Sequence, residues 1–318
     1  MHWKSWLKLI GLGLFLWLMA GLDWPRLTTL ALTLDPAFLA TYLGAFALMV
    51  LTRSARLRLV LARISHPLSF RHCYIATLEP ALMGLVTPGR VGEFSRVGYL
   101  HSHGVSLPSA FGVVLVERLV DVSLLLVIGA AGLMYIFLPG LGVAGVGVLI
   151  TVALLLLLGL LRKSADVLTF LQARLGWLER WEPAGLRVRR QALSTTFFYI
   201  LRHTAQPVFH LGLVCNGLNF VQVFLLAKAF HFQADYLVII FAYSAATLVS
   251  LLPISFGGLG TREATYIMIM GQIGISKESA LLFSLADGLV FSIFMLFALL
   301  LPVWLQKALT RFRAAPRT

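Results

Sequence analysis

The chain has 318 residues, of which 59% are hydrophobic and only 12% charged, and its mean hydropathy is +0.89. Soluble domains carry about 25% charged residues, so these figures exclude an ordinary cytosolic enzyme, a disordered chain and a disulfide scaffold. An all-α polytopic membrane protein remains, and the net charge of +13 has to be read by where the cations sit rather than as a nucleic-acid footprint.

A membrane-crossing helix needs about 20 apolar residues, so the length allows roughly six to eight spans. The first covers about Trp6–Leu22; Asp23-Trp24-Pro25 follows it instead of a small-residue cleavage site, so it reads as a retained span and not a signal peptide. The second is about Pro36–Thr52, followed by a basic stretch with Arg53, Arg56, Arg58, Arg63 and Arg71. Residues 73–100 are apolar but broken by Pro80, Gly84, Pro88, Gly89, Gly92 and Gly98. A long apolar helix runs over Ser109–Leu138, Pro139-Gly140 turns the chain, and Leu141–Leu161 returns. The basic segment 162–206, with Trp177 and Trp181, reads as an amphipathic helix on the anionic inner leaflet. Another span covers Pro207–Phe230, a second broken segment covers 236–275 around Pro253, Gly257, Gly258 and Gly260, and Ser279–Val303 is the last span.

Charge orients this arrangement. Of 26 Lys and Arg, two (Lys4 and Lys8) lie before the apolar run of the first span, five in 53–71, eight in 162–202 and four in the tail, whereas the loops 23–35, 139–142 and 231–235 hold one Arg and three Asp. The positive-inside rule puts the four basic regions, and both termini, on the cytoplasmic side. Parity then requires 73–100 to enter and leave on that side and 236–275 on the other, as two re-entrant hairpins beside about six full spans.

The two broken segments resemble each other. One reads Pro88-Gly89-Arg90-Val91-Gly92-Glu93 and continues to Arg96; the other reads Pro253, then Gly257-Gly258-Leu259-Gly260-Thr261-Arg262-Glu263. Within a single transmembrane domain, 1–318, they predict an inverted-topology repeat. Repeat 1 is 36–138 with hairpin 73–100; repeat 2 is 207–303 with hairpin 236–275. Such repeats place a binding site near the midplane. Irregular backbone at that depth is tolerated only when buried or lining a wet cavity. Helix N-termini after the glycines favour an anion such as a lipid phosphate, and Arg90, Arg96 and Arg262 add planar donors for it. Glu93 and Glu263 would orient these arginines or exchange a proton. Ionisable groups inside a membrane are costly, which adds Glu117, Arg118, Asp121 and Asp287 to the candidate substrate-binding set. Glu117 and Asp121 share a helix face with Arg118 beside it, and Asp287 needs a partner from another element. Asn216, Asn219 and Gln222 read as helix–helix hydrogen-bonding residues, and Lys228 as a snorkelling lysine. No metal site and no cofactor is expected: the eight histidines lack ligand spacing, and Cys73 and Cys215 sit in apolar sequence.

The two glycine blocks, with the spans around them, resemble the lysylphosphatidylglycerol synthase transmembrane-region family, also called flippase-like, over nearly the whole chain. Where that family often has a second glycine after the first proline, this chain has Arg90. The resemblance implies a bacterial inner-membrane protein that moves an anionic lipid or lipid-linked precursor between leaflets, with a homodimer among its possible assemblies. The aminoacyl-transferase domain of bifunctional members is not in these residues, so synthase activity is not expected of them. Two alternatives stand beside lipid translocation. One is a membrane-embedded enzyme or accessory subunit acting on a lipid or polyprenyl phosphate, for which Glu93 with His101 and His103 is the one acid–base set that can be assembled. The other is an ion-coupled solute transporter.

Overall fold

The structure, a computed structural model, describes residues 35–85, 87–137, 140, 142–175 and 184–314, together with 25, 29 and 32; at 133, 136–137, 160–175, 184–193 and 301–314 it describes the backbone alone. The expected span at 6–22 lies outside the described residues, as do the side chains of 162–193 in the basic segment.

Helix α1 (Pro36–Arg63) starts where its sequence says it should. Asp35 accepts the Ala37 N–H at 2.8 Å, and Pro36 occupies the first position, where its missing N–H costs nothing. The helix then runs past Thr52, the expected end of the span, because no Gly or Pro interrupts it and Leu57, Val60 and Leu61 continue the buried stripe. Helix α2 (Phe70–Leu85) leads to the first break, a 3₁₀ turn at Val91–Phe94 and short α3 (Ser95–Ser102). Helix α4 (Leu107–Phe137) follows with 31 residues, about 46 Å at 1.5 Å per residue. Helix α5 (Gly142–Leu175) returns, and α6 (Ala184–Ala229) continues past Pro207. Helix α7 (Tyr236–Ser250) reaches the second break, α8 (Thr261–Gly271) leaves it, and α9 (Lys277–Ala314) closes the chain. Among the described residues, 4 stretches are long and apolar enough to cross a membrane: 36–63, 142–159, 194–229 and 277–300.

The order long helix, broken pair, long helix occurs twice, and its turns repeat in detail. After α1, Ser65 adopts a left-handed φ of 61° and the His66 N–H bonds Leu61 O at 2.9 Å; after α6, His231 adopts 56° and the Phe232 N–H bonds Ala227 O at 3.0 Å. After α3, the Val105 N–H bonds Leu100 O at 3.1 Å past Gly104; after α8, the Ile275 N–H bonds Met270 O at 3.2 Å past Gly274. Both are helix C-caps of Schellman type. Ser106 then caps α4 by accepting the Ser109 N–H at 3.3 Å, and Ser276 caps α9 by accepting the Ser279 N–H at 3.2 Å.

Packing crosses between the two halves: α1 lies along α6, α4 packs on α7, and α9 packs on α2. This interlock produces two apolar cores. One joins Tyr42, Phe46 and Met49 of α1 to Leu226 of α6 and to Tyr266 and Phe283 of α8 and α9. The other joins Leu57 and Leu61 of α1 to Ala110 and Val120 of α4 and to Ile200 and Phe209 of α6. Between them, on α1 and α6 alike, lies a polar layer formed by Arg53, Arg56, Asn216, Asn219 and Gln222.

Candidate functional site

The two breaks meet. Pro88 and Phe256 form an antiparallel bridge, in which the Gly89 N–H bonds Ser255 O and the Gly257 N–H bonds Thr87 O, each at 3.3 Å. The contact is main chain to main chain, and at Gly257 it requires glycine. The residue has φ +56°, and a Cβ there would overlap the Leu85 carbonyl. Arg90 also takes the left-handed conformation, with φ 55° and ψ 28°, which a side chain adopts at a cost of about 1–2 kcal/mol.

Beside the bridge lies a cavity of about 110 Å³. Its lining includes six arginines (Arg53, Arg56, Arg90, Arg96, Arg118 and Arg262) and four carboxylates (Glu93, Glu117, Asp121 and Asp287), with Asn216, Asn219, Gln222 and Tyr243. Arg56, on this lining, is 3% exposed. It donates through Nε to Glu117 at 3.1 Å and grips Asp121 with both Nη atoms at 2.7 and 2.9 Å. The other Glu117 oxygen accepts Arg96 Nη1 at 2.7 Å, while Arg96 Nε bonds Ala76 O at 2.8 Å. Glu93 pairs with Arg118 and stands 3.9 Å from Arg90. Gly84 makes room for it, because a Cβ there would come within 2.6 Å of Glu93 Cγ.

On the other wall, Arg262 donates to Ser284 O at 2.6 Å and lies 4.0 Å from Asp287. This supplies the partner from another element that Asp287 requires. The guanidinium passes directly over Gly288, where any side chain would displace it. Glu263 is fully buried behind the wall, and three groups engage it. Its Oε2 accepts the Gly260 N–H at 2.6 Å, and its Oε1 accepts Ser284 Oγ at 3.2 Å and Arg262 Nη2 at 3.4 Å. It closes the otherwise unpaired start of α8.

The structure thus gathers Arg90, Glu93, Arg96, Glu117, Arg118, Asp121, Arg262 and Asp287 around one cavity. Pro88, Gly89 and Gly92, and Pro253, Gly257, Gly258 and Gly260, shape the two breaks beside it, and Glu263 stands behind. Three readings are corrected. Arg53 and Arg56 do not belong to a cytoplasmic loop: α1 continues past them, and they face the cavity. Asn216, Asn219 and Gln222 line that cavity instead of joining helices, and Asn216 Nδ2 bonds Gly212 O of its own helix at 2.9 Å. Glu93 is not joined to the histidines. His101 bonds Val105 O, and His103 bonds Tyr99 O and lies 4.7 Å from His72. Among the described residues no three His, Cys, Asp or Glu side chains form a metal-sized cluster.

The sequence of residues 6–302 matches the family described as Lysylphosphatidylglycerol synthase TM region. No curated protein and no solved structure matches the chain. With membrane-length helices, two clasped breaks and a match over nearly its whole length, the chain is a membrane protein and belongs to the lysylphosphatidylglycerol synthase transmembrane-region family.

Proposed function

We propose that the protein translocates an anionic phospholipid, or a lipid-linked precursor with such a headgroup, between the two leaflets of a bacterial inner membrane. The observation that carries this reading is a charged cavity held between two apolar cores where two broken helices meet. Ionisable groups at that depth are expensive, and their usual purpose is a pathway for polar cargo. The repeated turns and reciprocal packing support two related units rocking about the site between them, and the distribution of Lys and Arg supports cytoplasmic termini.

The test is reconstitution. Proteoliposomes containing the protein should move a fluorescent phosphatidylglycerol analogue across the bilayer faster than protein-free vesicles, read by chemical quenching of the outer leaflet. Arg262→Ala and Glu93→Ala should each slow this by roughly ten- to a hundredfold, the equivalent of one lost charged hydrogen bond of about 1.5–3 kcal/mol. Movement at the wild-type rate in both variants, with unchanged elution on gel filtration, would overturn the reading.

A further inference from the structure

The six cavity arginines are not equivalent. Four have a closer protein partner: Arg56 pairs with Glu117 and Asp121, Arg96 with Glu117, Arg118 with Glu93, and Arg262 donates to Ser284 O at 2.6 Å and stands 3.4 Å from Glu263, although its Nε too is buried without a partner. Three of the four lining carboxylates, Glu93, Glu117 and Asp121, are consumed in this way, and Asp287 stands 4.0 Å from Arg262. Two arginines remain. Arg53 makes no hydrogen bond or ion pair with a described residue, and its Nε is buried without a partner. Arg90 shares Glu93 with Arg118 at the long distance of 3.9 Å, and its Nε is likewise buried and unpartnered. A third donor joins them: Gln222 is 3% exposed, lines the same cavity, and its Nε2 has no partner. The left-handed backbone at Arg90 is strain of a kind that persists where geometry serves a site.

Charge gives the ligand class. Six arginines against four carboxylates leave an excess of two, and Glu263 behind the wall reduces it to one. A phosphodiester, with one negative charge and oxygens for two planar guanidiniums and an amide N–H, meets this demand. The net positive lining disfavours an added ammonium group.

We infer that Arg53, Arg90 and Gln222 form the headgroup site, and that it takes a phosphodiester lipid without an ammonium group, in preference to zwitterionic or aminoacylated lipids. The inference rests on the lipid reading above but concerns binding, so it can fail separately from transport. Arg56, Arg96, Arg118 and Arg262 are then the frame that holds the cavity open.

The experiment is competition in detergent micelles against a fluorescent phosphatidylglycerol bound to the full chain. Phosphatidylglycerol should displace the probe at least about tenfold more effectively than phosphatidylethanolamine or lysylphosphatidylglycerol. Glycerol 3-phosphate and inorganic phosphate should not displace it. Arg53→Gln and Arg90→Gln should each weaken probe binding by about tenfold and abolish the discrimination, with gel filtration and thermal unfolding unchanged. Gln222→Met, which keeps volume, should weaken binding more mildly and serves as the readout if either arginine variant fails to fold. Displacement by lysylphosphatidylglycerol equal to phosphatidylglycerol, or wild-type binding in the Arg53→Gln and Gln222→Met variants, would overturn the inference. Equal displacement by the soluble phosphates would overturn the lipid as its source. Selective binding in a protein that moves no lipid would leave this site standing and remove the transport reading instead.

Discussion

Arg56 shows how a charge survives inside this molecule. It is nearly fully buried, yet two carboxylates from α4 meet its three nitrogens. Removing one partner of such a pair is far worse than replacing the whole set, since it strands the remaining charges away from water. Arg56→Ala should therefore destabilise the protein by about 3–5 kcal/mol, seen as a lower midpoint of thermal unfolding in detergent. Arg56→Ala combined with Glu117→Gln and Asp121→Asn should recover part of that loss. The same residue marks a limit of the sequence. Arg53 and Arg56 were counted with Arg58, Arg63 and Arg71 as one cytoplasmic patch, because a run of arginines after an apolar stretch looks the same whether it meets headgroups or a cavity. The available signal was subtler: no Gly or Pro from 45 to 66, with Leu57, Val60 and Leu61 continuing the apolar stripe beyond the charges. Glu117, Asp121, Arg262 and Asp287 were legible because each lies in an otherwise apolar stretch, where an ionised group needs a reason.

At the scale of elements, the two breaks were predicted from their glycines, but not that they would touch. Composition shows that backbone is irregular; it does not say which irregular piece faces which. The bridge supplies that, and it is open to test. In an antiparallel bridge with flanking hydrogen bonds of this pattern, Cα atoms lie about 4.5 Å apart, within the range a disulfide spans. In a chain whose buried Cys73 and Cys215 are replaced by Ala, Pro88→Cys with Phe256→Cys should form an intramolecular disulfide under mild oxidation, read as a mobility shift that reducing agent reverses. If the units rock apart during transport, the oxidised form should move lipid at the protein-free rate and recover on reduction. The helix caps give a smaller prediction. Ser106→Ala and Ser276→Ala occupy matching places ahead of α4 and α9, and each should cost about 1 kcal/mol of stability, so similar shifts in unfolding midpoint are expected from the pair.

Across the whole molecule, the arrangement is two oily cores with a charged seam between them, tied together by α1 and α6, which run through both. The membrane class was plain from composition alone. The seam was not, because it is assembled from residues more than a hundred positions apart, such as Arg56 and Arg262, whose approach is a property of the packing. Orientation provides the test at this scale. With Arg53 and Arg56 removed from the count of cytoplasmic cations, 17 of the original 19 still mark one side. A green fluorescent protein fused after Thr318 should therefore fluoresce, and an alkaline phosphatase fused there should be inactive; the opposite pair of results would invert the topology.

The bridge between the breaks has one further consequence, for how this sequence can vary. Its hydrogen bonds use only main-chain atoms, so the side chains of Pro88 and Phe256 do not specify it. Residues at those two positions can drift among relatives while the clasp endures. Gly257 cannot drift, because its missing side chain is what lets the Leu85 carbonyl come so close. The fingerprint of this contact in a set of related sequences would be a fixed glycine beside a variable partner, the reverse of what a search for invariant contacting pairs is built to find.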